Sequence, residues 1–350
     1  MTHKKLTDFS KGVGCGCKIP PNILSKFLQD VGFKNDDPNL LIGNNNHDDA
    51  AVYLLNENMA LIATTDFFAP IVDDPFLFGQ IAAANAISDV YAMGGNPILA
   101  LGILAWPTSI LPIELATKVM QGATEMCKKA GMCLSGGHSI ESDIPLFGLA
   151  VNGIINPNNI KKNNTPQLGD ALFLTKPLGS GLITTALKKN IIELNEILDE
   201  LKIITQLNYI GKICGELDFV HAMTDITGFG LIGHLAEMMN TSTPLTANIY
   251  FNNIPIIEKA RYLITENCTP DATFRNWNTY QPTFVIEEGV DISKAFKILP
   301  DPQTNGGLLI SVDKCCIDSF KQILQKENII IHQIGEVTEF KQSSIKINNN

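Results

Sequence analysis

The sequence predicts an α/β protein of two domains, and three observations carry that reading. The chain has 350 residues, more than one domain of roughly 100–200 residues. Short apolar runs alternate with longer helix-like patterns in both halves. A Pro- and Asn-rich stretch, Asn156–Gln167, stands between the halves as a linker.

The elements follow in order. Residues 1–46 contain one helix expectation, near Asn22–Val31, because Pro20-Pro21 suits a helix start; the rest of this segment reads as a flexible arm or lid. Ala50–Leu55 and Met59–Thr64 read as strands joined by an Asn-containing turn. Phe76–Met93 reads as a helix stopped by Gly94-Gly95, and Pro112–Ala130 as a helix stopped by Gly131. Ile98–Ala105, Met132–Ser135 and Phe147–Ile155 read as strands. Beyond the linker, Ala171–Thr175, Val220–Met223, Leu308–Val312 and Ile329–Val337 are strand expectations. Leu178–Lys189, Ile197–Cys214, Gly230–Met239 and a segment near Ser319–Lys326 are helix expectations. The domains are therefore expected at residues 47–157 and 168–350.

Hydrophobic residues make up 45 % of the chain and charged residues 18 %, so a sizeable core is available to each domain. The formal net charge is −10, which repels a nucleic-acid backbone in the absence of a strong basic patch. The densest basic pairs are Lys161-Lys162 and Lys188-Lys189, so no nucleic-acid partner is expected. No apolar run reaches about 18 residues, so no membrane span is expected. The first residues lack a secretory apolar core. A cytoplasmic location follows, with the eight cysteines mostly reduced. None of them has C-x-x-C spacing, which argues against a zinc ribbon.

Three constellations could carry chemistry. In Gly12-Val13-Gly14-Cys15-Gly16-Cys17-Lys18 the glycines allow close backbone approach to a ligand. Lys18 favours the reactive thiolate of a neighbouring cysteine and can bind phosphate as a point charge. The bland alternative is a floppy loop with incidental cysteines.

The second constellation is a set of aspartates at strand ends and on a helix. Asp48-Asp49 precedes a strand, Asp66 follows one, Asp225 follows another, and Asp89 shares a helix face with Asn85. All but Asp48 have largely apolar neighbours, and an unpaired buried carboxylate is costly. A hard cation such as Mg²⁺, bridging phosphates, removes that cost. Taken singly, each is better explained as a capping or turn residue; several together in a chain of low charge density shift the balance toward a metal. The third is Ser135-Gly136-Gly137-His138-Ser139, where a strand entering Gly-Gly offers N–H groups to an anion; a tight turn with a satisfied histidine is the alternative.

Gly228-Phe229-Gly230-Leu231-Ile232-Gly233 fits a dinucleotide pattern, but no acidic residue stands about twenty positions on. The chain has no P-loop motif, so any ATP site is built differently. His234 and Cys315-Cys316 read as structural. Asp301-Pro302-Gln303-Thr304-Asn305-Gly306-Gly307 reads as a turn that could shape a domain interface.

Together these segments resemble the selenophosphate synthetases (selenide, water dikinases). The matching pieces include GVGCGCKIP at 12–20, HDDAAVY at 47–53 and the run TTDFFAPIVDDPFLFGQIAAANAISDVYAMGG at 64–95. SGGHSI at 135–140, LTKPLGSG at 174–181, AMTDITGFGLIGH at 222–234 and DPQTNGGLL at 301–309 continue the match. The resemblance spans about residues 6–340, and the Gly-Cys-Gly-Cys-Lys segment is its most specific part.

The resemblance implies a two-domain aminoimidazole ribonucleotide synthetase-like fold. It implies a flexible N-terminal lid over residues 1–46 and a homodimer whose N-terminal strands form a barrel. It implies Cys15 and Lys18 as catalytic residues, and Asp49, Asp89 and Asp225 as Mg²⁺ ligands. Lys18, Asn46, His47, Asp48, Asp66, Asp89, Gly137, His138 and Ser139 are implied nucleotide contacts. His47 stands where the family often has a basic residue, and Asn305 where it often has Ser. The implied reaction takes ATP, hydrogen selenide and water to selenophosphate, AMP and orthophosphate, with a selenium-delivery protein as a further partner. Two other readings remain at this point: a kinase or ligase of the same fold acting on a nitrogen substrate, and a non-catalytic selenium or metal carrier using Cys15 and Cys17.

Overall fold

The structure, a computed structural model, describes residues 5–9, 18–19, 21–32, 37–43 and 48–350. Cys15, Asn46 and His47 lie outside the described residues. Helix α1 (Pro21–Val31) and strand β1 (Leu40–Ile42) precede the first domain. Strands β2 (Ala51–Asn56) and β3 (Met59–Phe68), helix α2 (Pro75–Ala92), strand β4 (Asn96–Trp106), helix α3 (Ile113–Lys129) and strands β5 (Cys133–Glu141) and β6 (Leu146–Ile155) follow. They form a six-stranded sheet in the order β1-β2-β3-β6-β4-β5. Only β4 and β5 pair in parallel, and α3 supplies the crossover that such a pair needs.

Helix α2 organises the first domain. Asp74 caps it by accepting from Leu77 N–H at 2.7 Å, and Pro75 occupies its first turn. Gly94, at φ +84°, ends it. Thirteen of its eighteen residues are buried, so it must be covered on every side. It packs on β3, β4 and β6 and on α3, and it also meets elements of the second domain. Its crossing with α3 is very close. A Cβ on Gly79 would lie 1.9 Å from the Val119 carbonyl oxygen, and one on Gly122 would lie 2.0 Å from that of Phe76.

The second domain holds β7 (Ala171–Leu174), α4 (Ser180–Lys188), α5 (Leu198–Thr205), α6 (Ile210–Gly215), β8 (Val220–Asp225), α7 (Gly230–Met238), β9 (Leu245–Tyr250), α8 (Glu258–Leu263), α9 (Asp271–Tyr280), β10 (Phe284–Ile286), α10 (Ile292–Ile298), β11 (Leu308–Val312), α11 (Ile317–Lys326), β12 (His332–Glu339) and β13 (Ile345–Asn348). Its seven strands run β10-β13-β9-β12-β7-β11-β8. Leu172 and Leu174 face one core with Leu182, Leu231 and Leu235, and Ala171 and Phe173 face another with Met223 and Phe320. Strands covered on both faces become continuous apolar runs, which is why β7 and β11 stand out in the sequence.

Several expectations are corrected. Strand β3 runs four residues beyond Thr64, so Asp66 pairs within the ladder opposite Leu149 rather than ending the strand. Strand β5 continues through Gly136-Gly137 to Glu141; the glycines, at φ +84° and +146°, sit where the ladder with β4 shifts register. A Cβ at Gly137 would lie 2.0 Å from the Gly102 carbonyl oxygen. The expected helix Ile197–Cys214 is two helices. It breaks because the Gln206 carbonyl accepts from Lys176 Nζ (2.7 Å) and Asn305 Nδ2 (2.9 Å) instead of a helical N–H. Residues 240–307, in which no elements were expected, contain β9, α8, α9, β10 and α10. Their short segments fall below the length at which periodicity separates helix from strand.

The 301–307 segment clamps the start of α4. Asp301 Oδ2 accepts from Gly181 N–H (3.1 Å) and Gln303 Nε2 (2.8 Å), and Gln303 Oε1 accepts from Gly179 N–H, Ser180 N–H and Ser180 Oγ. Burial pushes the Asp301 carboxyl up to about 8, with the donors from Gln303 and the α4 backbone opposing it. The folded chain thus keeps this proton between its unfolded value and about pH 8. The stability this contributes is full below the unfolded value and is lost as pH rises through the folded one. Urea unfolding at pH 5 and pH 9 should therefore show the parent losing stability relative to Asp301→Asn across that interval. At the α2–α3 crossing, Gly79→Ala should lower stability by about 1–3 kcal/mol through overpacking, read as a reduced urea midpoint.

Candidate active site

Four carboxylates converge from both domains. Asp49 precedes β2, Asp66 lies in β3, Asp89 on α2, and Asp225 closes β8. Each receives a neutral donor on one oxygen. Thr224 Oγ1 donates to Asp49 Oδ1 at 2.9 Å, and Thr64 Oγ1 to Asp89 Oδ2 at 2.5 Å. Asn85 Nδ2 donates to Asp66 Oδ2, and Ser88 Oγ to Asp225 Oδ2. Two of these bonds, Thr224–Asp49 and Ser88–Asp225, tie the domains together.

The carboxylates feel one another strongly. Burial raises Asp49 well above the usual range, and the charges of Asp225 and Asp89 raise it further. Burial likewise raises Asp89, followed by Asp225 and Asp66, against the opposing pull of Lys18 and Thr64. Asp225 is raised by burial and by Asp66, while Ser88, His234 and Lys18 pull it down. Lys18 is exposed, yet its charge reaches both Asp89 and Asp225. Such mutual effects require a shared cleft of low dielectric.

The donor set suits a hard cation. It consists of oxygens, and Asp49 Oδ2 is buried with no hydrogen-bond partner among the described residues. Among the described residues no three His, Cys, Asp or Glu side chains are grouped to hold a single ion. Oxygen donors of this kind suit Mg²⁺, which is bound through one or two carboxylates with phosphate and water completing its shell, rather than by an all-protein cage.

The remaining expected residues fall in different places. Asp48 Oδ1 accepts from Asn163 N–H at 3.0 Å, which ties the inter-domain segment to the edge of the cleft. Gly137, His138 and Ser139 are not brought to the carboxylates within one chain. In the ladder Asp66 aligns with Leu149, Leu149 with Gly102, and Gly102 with Gly137. That is three strand spacings, roughly 14 Å. His138 aligns through Ile103 and Gly148 with Phe67, so it shares the sheet face opposite Asp66. His234 is buried; its Nε2 accepts from Thr227 N–H at 3.1 Å, and its Nδ1 lies 3.2 Å from Glu237. It packs as the sequence suggested, although its charge also bears on Asp225.

Sequence reasoning missed Thr64, Ser88, Thr224, Asn208 and Lys176. The first three carried a signal, since each lies within two positions of a site aspartate. Asn208 carried none, and Lys176 only its place in the matched segment LTKPLGSG at 174–181. Lys176 is 3 % exposed and donates to the carbonyls of Gln206 and Asn305 at 2.7 and 2.9 Å. Burial pushes its ammonium down to about 7, against the pull of Asp225.

The family model described as AIR synthase related protein, N-terminal domain, matches residues 47–155, and its C-terminal counterpart matches residues 167–348. A selenide, water dikinase of Photorhabdus laumondii is 44 % identical over 349 residues, covering 100 % of this chain and 99 % of that one. The chain belongs to the selenide, water dikinase family. Another member, from a Shewanella species, is 46 % identical over 333 residues, covering 95 % and 93 % of the two chains. A thiamine-monophosphate kinase from Stenotrophomonas maltophilia has a similar structure, with a TM-score of 0.64 at 17 % identity over 94 % of this chain and 95 % of that one. It shares the fold.

In this dikinase-family chain the clustered carboxylates are kept at a cost to stability. Asp49, Asp89 and Asp225 have raised folded-state pKa values, so their contributions fall as pH rises above the unfolded value. In EDTA at pH 8, Asp225→Asn should raise stability by about 1–2 kcal/mol, within the range of relieved active-site strain. Differential scanning calorimetry would show this as a higher Tm.

Proposed function

We propose that this chain catalyses the selenide, water dikinase reaction, converting ATP, hydrogen selenide and water to selenophosphate, AMP and orthophosphate. The observation that carries this reading is the four-carboxylate cleft between the domains, in a chain 44 % identical to a selenide, water dikinase along its whole length. The product would serve as selenium donor for selenocysteine and selenouridine synthesis.

The roles follow from the chemistry of each group. Asp49, Asp89 and Asp225 hold Mg²⁺, which neutralises and orients the phosphates when bound. Lys18, whose charge already reaches two of these aspartates, stabilises negative charge on the transferring phosphoryl group. Asn46, His47, Asp48 and Asp66 contact the nucleotide. Hydrogen selenide is a strong nucleophile, so the protein contributes mainly positioning and exclusion of water. Cys15 holds selenium or acts as a nucleophile, within a lid formed by residues 1–46. The ATP/Mg-binding domain spans residues 47–157 and the C-terminal α/β domain residues 168–350. The chain works in the cytoplasm, supplied by a selenium-delivery protein.

The chain acts as a homodimer through the open face of its first sheet. Tyr53, Phe67, Leu101 and Ile140 share that face by register and are 37 %, 48 %, 40 % and 55 % exposed. Apolar side chains gathered on one sheet face mark an interface. His138 lies on the same face, so Gly137-His138-Ser139 would meet a nucleotide bound in the partner's cleft rather than in its own.

AMP release measured with and without selenide, with ³¹P NMR of the product, tests the reading. Selenide-dependent AMP and a selenophosphate signal are expected. AMP release that ignores selenide would point to another acceptor, and no AMP at all to a carrier. Asp89→Asn should lower kcat by about 10²–10³-fold, as loss of a key electrostatic group does. Cys15→Ser should retain nucleotide binding but yield no selenophosphate. Leu101→Glu should shift the sedimentation coefficient from dimer to monomer.

A further inference from the structure

The 301–307 segment sends two hydrogen-bond relays into the carboxylate cleft. Asn305 N–H donates to Asn85 Oδ1 at 2.7 Å, and Asn85 Nδ2 donates to Asp66 Oδ2. The Gly306 carbonyl accepts from Asn208 Nδ2 at 2.8 Å. The same nitrogen donates to Ser88 Oγ at 2.8 Å, and Ser88 Oγ donates to Asp225 Oδ2. Asn85, Ser88, Asn208 and Asn305 are all at most 2 % exposed.

Donor and acceptor chemistry fixes the direction of both relays. A backbone N–H can only donate, so Asn85 must turn its oxygen to Asn305 and its NH₂ to Asp66. A backbone carbonyl can only accept, so the NH₂ of Asn208 must face Gly306, and it reaches Ser88 as well. Ser88 has a single hydroxyl proton. With Asn208 donating to its oxygen, that proton is directed to Asp225. Asp225 Oδ2 is thereby held as an acceptor in a fixed orientation. Asn208 occupies the break between α5 and α6, where continued helix would carry its side chain elsewhere.

We propose that Asn208 is a positioning residue for the dikinase reaction: acting through Ser88, it orients Asp225 and sets the affinity of the cleft for the divalent cation that accompanies ATP. This rests on the metal-assisted reading given above.

Binding of Mn²⁺ in the presence of a non-hydrolysable ATP analogue, followed by the electron paramagnetic resonance signal of free Mn²⁺, separates this from a merely structural role. The variants are Asn208→Leu, Ser88→Ala and the double substitution, each compared with the full-length parent. Each single change is expected to weaken Mn²⁺ binding about tenfold. The double variant is expected to bind no more weakly than the weaker single, because the two residues act in series. Binding within twofold of the parent in either single variant overturns the proposal, as does a double-variant loss equal to the product of the two. If Asn208→Leu does not fold, Asn208→Ala takes its place in the same cycle. A parent that binds no Mn²⁺ with the analogue overturns both this proposal and the metal-assisted reading, whereas an active parent with unaffected variants overturns this proposal alone.

Discussion

Mutual repulsion among Asp49, Asp66, Asp89 and Asp225 is the constraint on which the rest of the structure depends. Each charge raises the energy of ionising its neighbours in a cleft that water reaches poorly. The fold holds the group together with neutral donors, Thr224 to Asp49, Asn85 to Asp66, Thr64 to Asp89 and Ser88 to Asp225. Neutral donors of this kind fix the geometry and leave most of the carboxylates' negative field in place.

Helix α2 makes this arrangement mechanically possible. It is apolar nearly all round and is packed on every side, so its position is set by burial. Gln80, Asn85, Ser88 and Asp89 are its polar exceptions, and through Asn85 and Ser88 the same helix reaches Asp66 and Asp225. Hydrophobic packing therefore determines where the polar chemistry sits. The glycine-lined crossing with α3 allows the close approach that keeps α2 against its sheet.

The frame itself does not choose the acceptor. A thiamine-monophosphate kinase shares it at 17 % identity, so the scaffold is compatible with more than one reaction. The Gly-Cys-Gly-Cys-Lys segment ends in Lys18, whose charge bears on Asp89 and Asp225.

The sequence by itself determined the two-domain α/β class, most strands and helices of the first half, and the aspartates that gather in the cleft. These were legible because periodicity, glycine stops and motif matches are local properties. It did not reveal the break between α5 and α6, the elements of residues 240–307, or the parts played by Asn208 and Lys176. Those depend on contacts between distant positions: Ser88 meets Asp225 across 137 residues, and Asn305 meets Asn85 across 220. Tertiary structure also decided which face of the first sheet carries His138. That follows from strand register, and a single-residue shift in pairing would turn every side chain to the opposite face.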